Sequence, residues 1–181
     1  MITKQQLKNI CSQTKDENID KYLPHLNMLM DKYEINTPNR RRHFIAQLAH
    51  ESNQFNSCRE KYNGTPQEYF KKYDGRKDLG NSFAGDGLKF FGRGLIQITG
   101  RFNYSCASID IFKNDTLISK PEQVEQPALA VEVSCWFWKT KHLNSLADAD
   151  EIKAITMKIN GGLNGFNERV LFYKQAIKYI Q

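Results

Sequence analysis

The sequence predicts a mainly α fold of the α+β kind: a helical body with a cleft and one small β-hairpin or sheet. Three observations lead there. Apolar residues recur at helical spacing in several segments, each bounded by a capping signal. Residues 95–99, Leu-Ile-Gln-Ile-Thr, alternate enough for a short strand, which would put Gln97 and Thr99 on one face. Residues 81–94 are punctuated by glycine and read as loop. The 181 residues, 40% hydrophobic and 12% aromatic, suit a single domain over 1–181 with a sizeable core.

Thr3 and Gln6 form a capping box that opens a first helix over Ile10. Pro24 is placed to start the second, striped by Leu23, Leu26, Leu29 and Met30 as far as Tyr33. Thr37-Pro38 then interrupts, and a third helix begins at Arg40-Arg41-Arg42 and runs to Ser52, with Phe44, Ile45, Leu48 and Ala49 on one face. The arginine triplet could grip an anion, although basic runs usually coat a solvated surface. Thr65-Pro66-Gln67-Glu68 is an N-cap signature for a short helix through Phe70 that ends near Asp74-Gly75. Gly92 and Gly94 lack the third glycine of a dinucleotide fingerprint, so no phosphate cradle and no cofactor is indicated. A helix over 128–139 carries Leu129, Val133 and Trp136; Trp136-Phe137-Trp138 could stack on sugars, but their helical spacing favours the core. Another, over 152–159, ends at Asn160-Gly161-Gly162, and the last, over 167–180, is expected to bury Val170, Tyr173, Ile177 and Ile180.

Glu51 carries the chemistry. It lies three residues after Leu48 and seven after Phe44, so it turns towards the apolar face at a helix C-terminus. Burial and the negative end of the helix dipole both disfavour its charge, as a proton donor requires. Glu60 lies in a polar loop between Arg59 and Lys61, where a carboxylate stays ionised. One donor and one acceptor with opposed environments meet the requirement for glycosidic hydrolysis. Zinc chemistry of the His-Glu-x-x-His kind is excluded because Gln54 occupies the second histidine position, and no metal site is indicated.

Four separated motifs then share one order: Ala-His-Glu-Ser at 49–52, Gly-Asp-Gly at 85–87, Phe-Gly-Arg-Gly-Leu-Ile-Gln-Ile-Thr-Gly-Arg-Phe-Asn-Tyr at 91–104, and Ile-Asn-Gly-Gly-Leu-Asn-Gly at 159–165. From about Tyr22 to the C-terminus the chain resembles glycoside hydrolase family 19, and within it the short phage-type endolysins rather than plant chitinases. The resemblance implies a lysozyme-like body and single displacement with inversion, with Glu51 as general acid and Glu60 as general base. It implies that Thr99 helps Glu60 hold the attacking water and that Gln97, Asn103 and Asn160 contact sugar. Arg169 would orient a carboxylate of the cleft. Tyr62 stands where those endolysins commonly have threonine, and it joins the binding residues with its role open. The substrate implied is the N-acetylmuramic acid to N-acetylglucosamine bond of peptidoglycan; chitin hydrolysis and a non-catalytic wall-binding module are the alternatives.

A formal charge of +6 favours polyanions, either nucleic acid or anionic wall polymers. With the family resemblance, peptidoglycan strands are the expected partner and nucleic acid is not. Cys11, Cys58, Cys106 and Cys135 show no paired spacing and are expected as free thiols. The first residues contain no apolar leader core, and no segment approaches a membrane span. A monomer made in the bacterial cytoplasm, without membrane insertion, and released to the wall by a separate holin-like factor is the corresponding expectation.

Overall fold

The computed structural model describes residues 1–181. Thr3 and Gln6 close the capping box on α1 (Lys4–Ile10) as expected. The second helix, α2 (Asp16–Lys32), runs straight through Pro24 rather than starting there. Asp16 and Glu17 in its first turn suit a helix N-terminus. Burial of Ile19, Tyr22, Leu26, Leu29 and Met30 then offsets the one backbone bond that proline removes.

The third helix, α3 (Pro38–Glu51), also starts earlier than expected. Thr37 is its N-cap, accepting from the Arg40 N–H at 3.2 Å, and Pro38 takes the first position, where a missing N–H is harmless. The arginine triplet pins this end to the body: Arg40 pairs with Asp148, Arg41 with Asp31, and Arg42 donates to the Ile180 carbonyl. From His43 to Ala49 every residue is fully buried, so α3 is central rather than one-sided.

Around it pack α11 (Phe166–Tyr179) and α9 (Leu143–Asp148), while α2 packs on α8 (Pro127–Thr140). One apolar cluster runs from Ile2 to Ile180. Both indoles belong to it. Trp138 meets Phe44 edge-on at 5.2 Å, and Trp136 donates its N–H to Asp110 at 2.7 Å. The inner face of α11 differs from the expected one: Arg169, Phe172, Tyr173 and Ala176 are buried, and Ile177 is 44% exposed. A buried arginine holds an inward position there, so apolar spacing alone set the face wrongly.

No strand forms. Two isolated bridges, Arg59 with Arg93 and Arg93 with Ile98, stand where a hairpin was expected. Residues 94–97 are a turn in which Gly94 has φ 77° and Gln97 φ 56°, and adjacent Leu95 and Ile96 are both buried. Two neighbouring buried residues contradict the alternation that a strand needs. The rest of the periphery is α4 (Pro66–Phe70), α5 (Asp86–Lys89), α6 (Arg101–Phe112), α7 (Thr116–Ser119) and α10 (Ile152–Asn160). Of these, α6 had no sequence signal strong enough to predict it. It is moored by a two-pronged ion pair from Arg101 to the buried Asp86.

Candidate active site

Glu51 ends α3, its side chain 16% exposed. Fully buried Arg169 donates through Nη2 to Glu51 Oε1 at 2.5 Å and through Nη1 to Gln47 Oε1 at 2.5 Å. Gln47 lies one turn before Glu51, so the planar guanidinium bridges two acceptors on one helix face. Arg169 therefore orients Glu51, and it supplies a positive partner that the argument from burial and helix dipole did not include. Glu51 Oε2 makes no hydrogen bond within the chain. Beside it, His50 Nδ1 bonds the Glu168 carboxylate, and the imidazole lies flush against Gly165, where a Cβ would come 2.1 Å from Cε1.

After Glu51 the chain turns left-handed. Asn53, Gln54 and Phe55 have φ of 49°, 55° and 61°, a conformation costing roughly 1–2 kcal/mol per non-glycine residue. Hydrogen bonds hold it: Gln54 N–H to the Ala49 carbonyl at 2.6 Å, Ser57 N–H to Ser52 at 2.9 Å, and Phe55 N–H to Ser52 Oγ at 2.8 Å. The loop between α1 and α2 braces the outer side. Gln13 N–H and the Thr14 hydroxyl bond Gln54 at 3.0 and 2.7 Å, and Asn56 Nδ2 donates to the Gln13 carbonyl at 3.0 Å.

This turn sends the chain back towards residues 92–94. Glu60 N–H donates to the Gly92 carbonyl at 2.8 Å, and Gly92 N–H donates to Glu60 Oε2 at 3.1 Å. The Tyr73 hydroxyl donates to Glu60 Oε1 at 2.9 Å, with Lys72 Nζ 3.5 Å from the same oxygen. The cation beside Glu60 is thus Lys72, not its sequence neighbours; Arg59 turns to Glu125. Burial, and then the bond to Glu60, push the Tyr73 hydroxyl above its ordinary value, so it remains a donor.

Gly92 is the point of convergence. A Cβ there would meet Gln97 Oε1 at 3.0 Å, Glu60 Oε2 at 3.1 Å and Thr99 Oγ1 at 3.3 Å. Of residues 91–100, only Gln97 and Thr99 are not buried. The turn thus brings together the pair that a strand was expected to align. Asn103 joins them by donating its amide to the Thr99 carbonyl at 2.8 Å. Tyr62, 37% exposed, lies on a neighbouring aromatic group, edge-on to Phe70, which stacks on Phe91 at 4.1 Å. Asn160, exposed at the end of α10, bonds none of these residues.

Sequence reasoning missed Gln47, Lys72, Tyr73 and the convergence on Gly92. Gln47 had a usable signal, being one turn before Glu51 on the same face; Lys72 and Tyr73 come near Glu60 through loop geometry alone. No three His, Cys, Asp or Glu side chains gather as metal ligands do. The four cysteines are unpaired, and Cys58 Sγ lies 3.8 Å from the Glu125 carbonyl.

The sequence signature of glycoside hydrolase family 19, described as chitinase class I, matches residues 37–154. That span holds Glu51, Glu60, Gln97, Thr99 and Asn103; Asn160 and Arg169 lie beyond it. A family 19 domain-containing protein of Haemophilus influenzae is 34% identical over 157 residues, covering 72% of this chain and 75% of that protein. An endochitinase of Pisum sativum is 30% identical over 116 residues, which make up only 36% of its length. Among solved structures, a bacterial family 19 chitinase superposes with a TM-score of 0.78 at 18% identity, covering 99% of this chain and 94% of the other. A class IV chitinase from Zea mays gives 0.75 at 20% identity, covering 99% and 92%. With its signature matched across most of the length and a relative aligned over three-quarters of that protein, the chain belongs to glycoside hydrolase family 19.

Proposed function

We propose that the chain is a peptidoglycan hydrolase of the endolysin kind, cleaving the N-acetylmuramic acid to N-acetylglucosamine bond with inversion. The observation that carries the proposal is the gathering of Glu60, Gln97 and Thr99 around a glycine, with Glu51 separately clamped by a buried arginine.

In this reading Glu51 Oε2 gives its proton to the glycosidic oxygen as the bond to the anomeric carbon breaks. Arg169 then stabilises the carboxylate left behind. A water attacks the opposite face of the anomeric carbon, and the Glu60 carboxylate takes its proton while Thr99 helps hold it. Gln97, Asn103, Asn160 and Tyr62 contact the sugars. Such acid and base chemistry needs only these side chains.

The net charge of +6 supports a polyanionic wall as the target. No helix is long and apolar enough to cross a membrane; the proposal assigns release to a separate permeabilising factor. Chitin is the second reading, favoured by plant relatives named as endochitinases.

Mass spectrometry of digested peptidoglycan separates them. New reducing ends of N-acetylmuramic acid are expected. N-Acetylglucosamine oligomers from chitin, with peptidoglycan left intact, would establish the chitinase instead. Glu51→Gln and Glu60→Gln are each expected to lower kcat by about 10²-fold or more; full activity in either variant removes that residue from the mechanism.

A further inference from the structure

We infer that Gln47 is a positioning residue for Glu51, acting through the Arg169 guanidinium that both side chains share; this rests on the acid role proposed above. Gln47 is fully buried, and its bonding fixes the amide in one orientation. Nε2 donates to Thr156 Oγ1 at 3.3 Å, and the Thr156 hydroxyl donates onward to the Ile152 carbonyl at 2.9 Å. Oε1 is left to accept from Arg169 Nη1 at 2.5 Å. The flipped amide would aim N–H groups at a cation, so only one orientation satisfies every member. Thr156 pins Gln47, Gln47 holds one prong of Arg169, and the other prong holds Glu51.

The neutrality of this amide sets the charge balance. A fully buried guanidinium calls for one counter-charge. With an amide at position 47, Glu51 supplies it only as a carboxylate, so the site is balanced once the proton has left. A carboxylate at 47 would balance Arg169 by itself and make loss of the Glu51 proton harder. The other ionisable groups along the α3–α11 seam are His50 and Glu168, which bond each other. Nearer the start of α3 are His43, Asp150 and Tyr173, which form their own network.

The test is the pH dependence of kcat for the wild-type chain, Gln47→Glu and Gln47→Met, on whichever of peptidoglycan or chitin oligomers the chain cleaves. Melting temperatures are recorded alongside. Gln47→Glu is expected to raise the alkaline limb, which reports loss of the acid's proton, by about one pH unit or more. Gln47→Met lets the guanidinium close on Glu51 alone and lowers the limb, reducing kcat while KM changes little. Thr156→Val, which unpins the amide, gives a smaller downward shift and serves if Gln47→Glu does not fold. Limbs unmoved in the folded variants, or moved in one direction by Glu and Met alike, overturn the inference even if melting temperatures fall, since a loss of packing alone does not move the limb in opposite directions. Glu51→Gln keeps the two proposals apart. If that variant is active, the acid assignment fails; if it is inactive while the limbs stay put, only the role of Gln47 fails.

Discussion

Gly92 is required by its neighbours, not by its backbone, because its φ lies outside the left-handed region. Alanine can adopt that conformation, but its Cβ would press on Glu60, Gln97 and Thr99 at 3.0–3.3 Å. Gly92→Ala is therefore expected to keep its melting temperature within a few degrees and to lose about 10²-fold in kcat/KM, the effect of misplacing reacting groups by a fraction of an ångström to one ångström. A melting temperature that falls in step with activity would show a folding role instead. At this scale the sequence marks single motif positions, as at Glu51 and Glu60, whose side chains the fold holds by hydrogen bonds. It was blind to partners brought in by loops: Tyr73 and Lys72 reach Glu60 from a segment with no periodicity, whereas Arg169 was expected to orient a carboxylate and does bond Glu51.

Among the elements, the connection from α10 to α11 packs against the end of α3 that carries Glu51. Gly165 has φ 69°, and its missing side chain leaves room for the His50 ring. Gly165→Ala would combine left-handed strain with a collision against imidazole and push the start of α11, with Arg169, away from α3. We expect a loss of about 2–4 kcal/mol in denaturant unfolding and a larger proportional loss of activity than of folded protein. A variant as stable and as active as wild type would contradict this packing. Helix starts were legible where a hydroxyl caps the first turn at Thr3 and Thr65, while the equivalent cap at Thr37 was passed over. The expectations failed where proline was taken as a start at Pro24 and as a break at Pro38. They failed again where adjacent apolar residues in a turn imitated a strand at 95–99. Proline fixes one dihedral angle, and the surrounding packing decides which end of a helix it serves.

For the whole molecule, acid stability follows from how its carboxylates are held. Arg40 keeps Asp148 below the ordinary carboxylate value, and Tyr173 and His43 do the same for Asp150. Burial acts against the charge of Asp86, but Arg101 and the N–H groups of Phe83 and Ser82 bring it below that value as well. Because these folded values are depressed, their contribution is complete above the unfolded value of about 3.9 and is lost as pH falls through the folded ones. Burial, partly offset by Asp150, lowers His43, so the unfolded chain binds this proton first and stability also declines as pH drops through about 6.5. Thermal melts should show two steps, the upper one absent in His43→Phe. A flat melting temperature from pH 7 to 5 in the wild type would refute the upper step.

The left-handed turn at residues 53–55 has a consequence for the opening helices of the chain. The region before residue 37 lies outside the family signature, yet Gln13, Thr14 and Asn56 lash that turn from behind. Both carboxylates hang from the segment so secured, one at each end. The loop between the opening helices thus acts as a buttress, and slackening it would shift Glu51 and Glu60 without altering either residue.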